Sequence, residues 1–574
     1  MHMKMRAEIF RRFRSFILRL GLAAVLCATF ANVPSWAACN TTEVSALGVP
    51  NMTIASATVV PAAGPTPEYC DVKGSVATSG EGADPGSANF EVMLPANWNQ
   101  KFIFHGVGGL AGSLTSSANP ADQSQMLARG YATAITDTGH LVANPTWEYT
   151  APGTPDMPKV IDYFYRAVHQ VTLAAKQLVK TYYHAETIRR SYFDGCSNGG
   201  KMGLIEATRF PSDYDGIISG SPWLDPVGTS LWSLKNTKAL LDGYIPAAKF
   251  QAVSAAILKQ CDKVDGVADG LIQNPAKCAF QPDALVPETL NQKQADALKL
   301  IMSPVRDEQG KLIYPGASVG NLGQDNMTVR GPTNYLEAPP ADPKSGKPWG
   351  DATLPANWSL AQNILMKLGY YDAGKDMNNS IESNGVVKTE ALNLVYTRLA
   401  ADVPDDPSAF GAFFTKGGKL LIYHGYDDLI ISPYSSIWFY EDLAQENGGY
   451  EKLQQNARLF MVPGMQHCVL GAGPNSFDSL SALEQWVEKG IAPDAIPATH
   501  STINAVDRTM PLCKFPEKAH YKGSGDLNSA SSWSCPQNDK SLLAVGPNGV
   551  LAGVGAAAPA RVSAPARLAA KSGN

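Results

Sequence analysis

The stretch "SYFDGCSNGGKMGLIEATRF" (191–210) decides how the rest of the chain is read. Ser191 to Gly195 has the composition of a short buried strand, and "GGKMGLIEATRF" opens a helix immediately after Ser197. Ser197 stands at the turn in a G-x-S-x-G pattern, where Gly195 and Gly199 permit a sharp bend and close backbone packing. The pattern alone is weak: 51 glycines make chance matches common, and a serine near a helix cap looks the same. The strand–turn–helix setting is what favours an exposed nucleophilic hydroxyl. The N–H of Asn198 and the helix N-terminus would face a developing oxyanion. Cys196 directly precedes the serine, so a thiol stands where it could compete for the same chemistry.

Outward from the turn, strands alternate with helices. Phe102–Phe104 is a strand running into the glycine-rich "HGVGGLAGS", 131–137 is another, and 160–183 carries apolar residues at helical spacing. A further strand lies at 216–221. The alternation stops over about 225–410, a Pro-, Asn-, Asp- and Gly-rich region with helices such as "PAAKFQAVSAAILKQC" and "NQKQADALKLIM". It resumes with "GKLLIYHGYDDLIIS" (418–432), "YSSIWFYEDLAQEN", "ARLFMVPG" and "DSLSALEQWVEKG". This grammar predicts an α/β fold with a parallel sheet, led by an all-β segment at 40–100. With the elbow, the fold class is an α/β-hydrolase carrying a large inserted lid domain. The expected domains are 38–224 and 411–540 for the hydrolase halves and 225–410 for the lid; the Ala/Pro/Gly-rich tail 541–574 is expected to be disordered.

A serine hydroxyl needs a base, and the base needs an orienting acid. In this fold class the chain order is Ser, acid, His. Asp427 or Asp428 supplies the acid after one late strand, and His467 follows the next. His105, His140 and His424 also lie at strand ends, where a structural role is expected; His169, His184, His500 and His520 read as surface or packing residues.

The N-terminus reads as an address. Six basic side chains precede the apolar run Leu20–Phe30, and "SWAA" suits cleavage near Ala37, so residues 1–37 are expected to be a secretion signal. The rival is a lipid anchor on Cys39, disfavoured by Trp36. Removing 1–37 takes away those six bases and one acid, and the formal charge falls from −5 to −10. An acidic chain without a basic run argues against nucleic acid and anionic membranes as partners. A secreted or periplasmic location also suits the cysteines, of which eight remain after the signal. Neighbours in sequence give Cys39–Cys70, Cys261–Cys278 and Cys513–Cys535, leaving Cys196 with Cys468. If Ser197 and His467 meet, their adjacent cysteines must meet too. The thiol is then consumed in a staple and is no competitor.

A second constellation is "CDKVDGVADGLIQNPAKC" (261–278). Asp262, Asp265 and Asp269 converge in a short loop that Gly266 and Gly270 allow to turn. Without a cation they would repel, whereas Ca²⁺ takes six to eight oxygens, including carbonyls such as those of Val267 and Leu271. A solvated acidic turn is the plainer alternative.

The Cys-Ser, Asp and His-Cys arrangement, with "HGYDDLI", resembles the tannase and feruloyl esterase family, which includes a hydrolase of mono(2-hydroxyethyl) terephthalate. The similarity covers most of 40–535. It implies a serine carboxylic ester hydrolase with Ser197 as nucleophile, His467 as base and Asp428 as acid. The family's oxyanion loop corresponds to "GVGGLAG", so Gly108 or Gly109 would join Asn198 as backbone donor. The resemblance also implies a structural lid Ca²⁺ closed by Cys261–Cys278, and a small aromatic ester as substrate, a plant phenolic ester favoured over a terephthalate monoester. In the terephthalate enzyme a lid arginine grips the free carboxylate; here "NWSLAQNILMKLGYYD" offers only Lys367. Trp349, Trp358, Tyr370 and Tyr371 could cover an aromatic ring or pack the lid. Rivals of other classes are a non-catalytic calcium-stabilised binding protein and a peptidase.

Overall fold

Nine strands form one mixed sheet in the computed structural model, which describes residues 38–115, 123–321, 361–375, 381–382, 384–404, 406–503 and 505–537. The expected signal at 1–37, the tail at 541–574, and Trp349 and Trp358 lie outside the described residues. The first three strands, β1 (Met52–Val60), β2 (Tyr69–Gly80) and β3 (Ala83–Pro95), pair antiparallel, as expected of the leading segment. The rest are β4 (Lys101–His105), β5 (Ala132–Thr136), β6 (Arg190–Cys196), β7 (Gly216–Gly220), β8 (Lys419–Gly425) and β9 (Ala457–Val462). These six pair parallel, and β3 joins β5 antiparallel, giving the order β1-β2-β3-β5-β4-β6-β7-β8-β9. Strands β4, β5, β7 and β9 are buried along their whole length, so both faces are covered and apolar residues dominate them, with the basic Lys101, His105 and Arg458 as buried exceptions. Strand β1 alternates instead, because one of its faces is wet.

The main helices are α1 (Ala167–Tyr182), α2 (Asn198–Arg209), α3 (Pro226–Asp242), α4 (Ala247–Cys261), α5 (Gln292–Met302), α6 (Pro433–Glu446) and α7 (Ser479–Lys489). The stretch predicted as one helix over 160–183 is interrupted by a π turn at Asp162–Arg166. Both of those residues are fully buried. The Arg166 guanidinium pairs with Asp162 at 2.6 Å and donates to the carbonyls of Gly80 and Asp84. Helical periodicity cannot show this, because the partners lie about eighty residues upstream. Helix α3 was also not singled out by the sequence; Asp225 caps it by accepting from Gly228 N–H.

Strands β7 and β8 are direct neighbours, with Gly216 opposite Lys419, although the whole of 221–418 intervenes. Within that inserted segment α3 packs on α5, and Val305–Asp307, Leu312–Tyr314 and Val386–Val387 make a small separate sheet. Polar links tie the insertion back to the hydrolase framework. Ser432, just before α6, donates through its hydroxyl to the Gly316 carbonyl at 2.7 Å and through its N–H to the Tyr314 hydroxyl oxygen at 3.2 Å. Lys201 on α2 forms a fully buried ion pair with Asp402. Burial pushes Asp402 up to about 6 despite the neighbouring ammonium.

Candidate active site

Strand β6 delivers Ser197 to the turn that opens α2. Its backbone is at φ 64°, ψ −125°, a left-handed region that a non-glycine residue occupies at a cost and that is associated with functional turns. Surrounding contacts hold it there. Ser197 N–H donates to the Gly220 carbonyl at 2.9 Å, and its own carbonyl accepts from Lys201 and Trp223 N–H groups. The glycines do the work expected of them. A Cβ on Gly195 would stand 2.5 Å from the Gly199 carbonyl carbon, and one on Gly106 would stand 2.6 Å from the Gly199 Cα. The elbow, the first turn of α2 and the start of the glycine-rich loop after β4 are therefore in backbone contact. Asn198, fully buried, reaches from α2 to the Val107 carbonyl. The loop bearing Gly108 and Gly109 thus lies against Asn198, with Gly109 at φ 60°.

Strands β8 and β9 present the other two groups. A Cβ on Gly425 would overlap the Met465 carbonyl, so only glycine lets the loop after β8 lie on the loop after β9. Asp427 N–H donates to that same carbonyl at 2.9 Å. Between these loops His467 Nδ1 meets Asp428 Oδ2 at 2.7 Å. Asp428, not Asp427, is the acid that the structure brings to the histidine. Its other oxygen accepts from Ile430 and Ile431 N–H groups at 2.8 and 3.0 Å. Burial by itself would raise the Asp428 pKa. The adjacent His467 and the hydrogen bonds from His424 and His467 outweigh it and hold the carboxyl well below the usual aspartate range.

His424 is the residue for which the sequence favoured a merely structural part. It lies on β8, wholly buried, with Nε2 3.0 Å from Asp428 Oδ2 and Nδ1 2.7 Å from Ser436 Oγ on α6. With Nε2–H donating to the carboxylate, Nδ1 accepts from the serine hydroxyl, and the ring is fixed at both ends. The available signal was the four-residue spacing in "HGYDD", which folds the histidine back over the acid.

All four disulfides pair as read. Cys196 and Cys468 are joined across 272 residues with their Cα atoms 5.9 Å apart, which brings the elbow and the His467 loop to one place. Cys261–Cys278 and Cys513–Cys535 close short loops. Cys39 is bonded to Cys70, so its sulfur is not free to carry a lipid. No helix among the described residues is long and apolar enough to cross a membrane.

The acidic loop has the other kind of geometry. Backbone N–H groups of Asp269 and Gly270 donate to Asp262, those of Val267 and Gln273 to Asp265, and that of Leu271 to Asp269. Burial pushes Asp265 up to about 6, with Asp269 adding to the rise; Asp269 is raised by burial and by Asp262. Asp269 Oδ2 is buried with no hydrogen-bond donor, the nearest cation being Arg508 at 3.6 Å. Asp262, Asp265 and Asp269 do not bring one carboxylate oxygen each within 4.8 Å of the other two. In the inserted segment Lys367 donates to the Pro145 carbonyl at 2.6 Å. Tyr371 is buried under the Arg398 guanidinium, 4.9 Å from its ring centre, and Tyr370 carries Lys375 at 4.8 Å.

A mixed sheet whose last six strands run parallel, with a strained serine elbow, an acid after β8 and a histidine after β9, defines an α/β-hydrolase. The chain belongs to the tannase and feruloyl esterase family of carboxylic ester hydrolases, whose model matches residues 70–536. It is 31% identical over 580 residues to an uncharacterized esterase of Xanthomonas campestris, covering 90% of this chain and 96% of that protein. It is 31% identical over 525 residues to mono(2-hydroxyethyl) terephthalate hydrolase of Piscinibacter sakaiensis, covering 82% and 85%. The crystal structure of feruloyl esterase B from Aspergillus oryzae superposes with a TM-score of 0.72 at 24% identity, covering 86% and 98%, and so shares the fold.

Proposed function

We propose that the protein is an exported serine esterase that cleaves esters of aromatic acids through an acyl-enzyme, with Ser197, His467 and Asp428 as its triad. The observation that carries this reading is the Asp428–His467 pair, delivered beside the elbow serine by the Cys196–Cys468 bond. With Nδ1–H given to Asp428, Nε2 of His467 is the free base. It takes the Ser197 proton as Oγ attacks the ester carbonyl. The tetrahedral oxyanion is met by the N–H of Asn198 and by that of Gly108 or Gly109 in the loop lying against it. The imidazolium, stabilised by Asp428, then protonates the leaving alcohol, and water hydrolyses the acyl-enzyme by the same route in reverse.

The substrate class rests on family membership, and plant phenolic esters are the favoured members of it. The identity to the terephthalate monoester hydrolase supports the second reading, while the tethering of Lys367 to Pro145 leaves that side chain poorly placed to grip a free carboxylate. A hydrolysis panel of methyl gallate, methyl ferulate, chlorogenate and mono(2-hydroxyethyl) terephthalate decides between them. Turnover of none of the four would remove the aromatic-ester reading. Comparing ester with amide analogues tests the peptidase alternative, and labelling of Ser197 by a fluorophosphonate tests the non-catalytic one.

The reading includes a structural Ca²⁺ in the inserted segment, held by Asp262, Asp265 and Asp269 with the carbonyls of Val267 and Leu271. Supporting it are the donorless Asp269 oxygen and the carboxyl groups pushed upward in the same loop. The ion would brace the insertion as a lid over 225–410 and take no part in the ester chemistry. Residues 1–37 would direct export to the periplasm or beyond, which the four disulfides favour.

A further inference from the structure

At the end of the elbow helix, His169 on α1, Glu206 near the end of α2 and Asp213 in the loop before β7 come together. One potential ligand atom from each lies within 4.8 Å of the other two, the one such trio among the described residues. His169 Nδ1 is 2.7 Å from Asp213 Oδ2, and its ring is held flat against Phe210 at 3.7 Å between centres. Glu206 is 1% exposed, and neither of its carboxylate oxygens has a hydrogen-bond donor. A buried carboxylate set beside another carboxylate without a donor is costly and needs a proton or a cation. Burial and the adjacent Asp213 both push the Glu206 pKa well upward, which expresses that same deficit. The nearby Lys176 ammonium is directed to the Asp213 main-chain carbonyl, not to the carboxylates.

We infer that His169, Glu206 and Asp213 form a structural site for a divalent transition ion, Zn²⁺ by its chemistry. One imidazole and two carboxylates match the ligand types of zinc, whereas calcium and magnesium favour all-oxygen shells. His169 is partly exposed, which leaves room for water as a remaining ligand. The ion would pin α1 to the end of α2 and to the loop entering β7. Glu206 is nine residues beyond Ser197, about 13 Å along the helix, so the site braces the elbow helix from its far end and does not touch the reacting atoms.

The test uses the full chain, stripped with a chelator, returned to excess Ca²⁺ so that the acidic loop is supplied, and then titrated with Zn²⁺ at neutral pH. Calorimetry should find one tightly bound Zn²⁺ per chain, and the melting temperature should rise by roughly 3–6 °C at about a hundredfold excess over Kd. Both effects should vanish in His169→Gln and in Glu206→Gln. Glu206→Gln keeps the experiment decisive should the histidine variant fold poorly, because it replaces the donorless buried carboxylate by a neutral amide that can donate to Asp213, and should leave the metal-free protein at least as stable as the parent. Zinc binding that survives in Glu206→Gln, or no zinc binding by the parent, would overturn the assignment in favour of a proton shared by the two carboxyl groups.

Discussion

Asp428 and Asp265 are both mostly buried aspartates fed by two backbone N–H groups, yet they behave in opposite ways. Asp428 also receives two imidazoles, and its carboxyl is held well below the ordinary 3.8. Asp265 has other carboxylates for neighbours and is pushed up to about 6. The difference lies in the third and fourth partners, which are two imidazoles for Asp428 and carboxylates of the same short loop for Asp265. A carboxylate completed by protein donors is ready to orient a base. One with other carboxylates for company is pushed toward its protonated form.

The sharpest way to break this contrast is at the nucleophile. Ser197→Ala should lower ester turnover by about 10⁴–10⁶-fold while leaving the melting temperature nearly unchanged; substantial residual turnover would sink the mechanism. Next, Asp428→Asn should cut kcat by about 10⁴-fold through loss of the imidazole tautomer. Asp265→Asn in the other region should leave kcat within about twofold, and a comparable loss there would merge the two sites into one. His424 acts through Asp428, so His424→Ala should cost roughly 10–100-fold in kcat with little change in KM. His424→Gln, which can still donate to the carboxylate, should recover part of the loss; equal KM and kcat effects in both variants would mark simple packing damage.

Chelation should lower the melting temperature by several degrees at neutral pH, as loss of a native-state ligand does. Returning Ca²⁺ alone to the stripped protein should restore part of that loss in the parent but not in Asp265→Asn, and a parent melting curve indifferent to returned Ca²⁺ would remove the calcium site. The smallest effect separates the two aspartates by sign. Asp428 titrates lower folded than unfolded, so on acidification the unfolded chain binds the proton first, and stability falls as pH drops below about 5. Asp265 in the metal-free protein is raised. Its contribution is full below 3.8 and is lost as pH rises through about 6. Melting temperatures against pH for Asp428→Asn and for metal-free Asp265→Asn should therefore lose slopes of opposite direction.

Much of the site was legible because its motifs are local. G-x-S-x-G sits at a strand–helix junction, and the order of serine, acid and histidine follows the strands. The cysteine pairs followed from neighbourhood and elimination. The choice between Asp427 and Asp428 was not legible from composition, since both follow the same strand; the direction of one side chain toward His467 separates them. His424 was passed over because a histidine at a strand end looks alike whether it faces a loop or a carboxylate. His169 was read as a surface or packing residue for a similar reason: its partners Glu206 and Asp213 lie on other elements.

By itself the sequence determined the alternation of strands and helices, the interruption of the sheet, the elbow and the residue types needed for acyl transfer, because these depend on side-chain period and on conformations open to glycine. Only the tertiary structure decided which aspartate is completed by donors, which histidine stands behind it, and where a buried carboxylate is left without one. Those properties are sums over neighbours that folding gathers from other elements, from His424 four residues before Asp428 to His169 44 residues before Asp213, and the energy of a buried charge is set by that company rather than by its place in the chain.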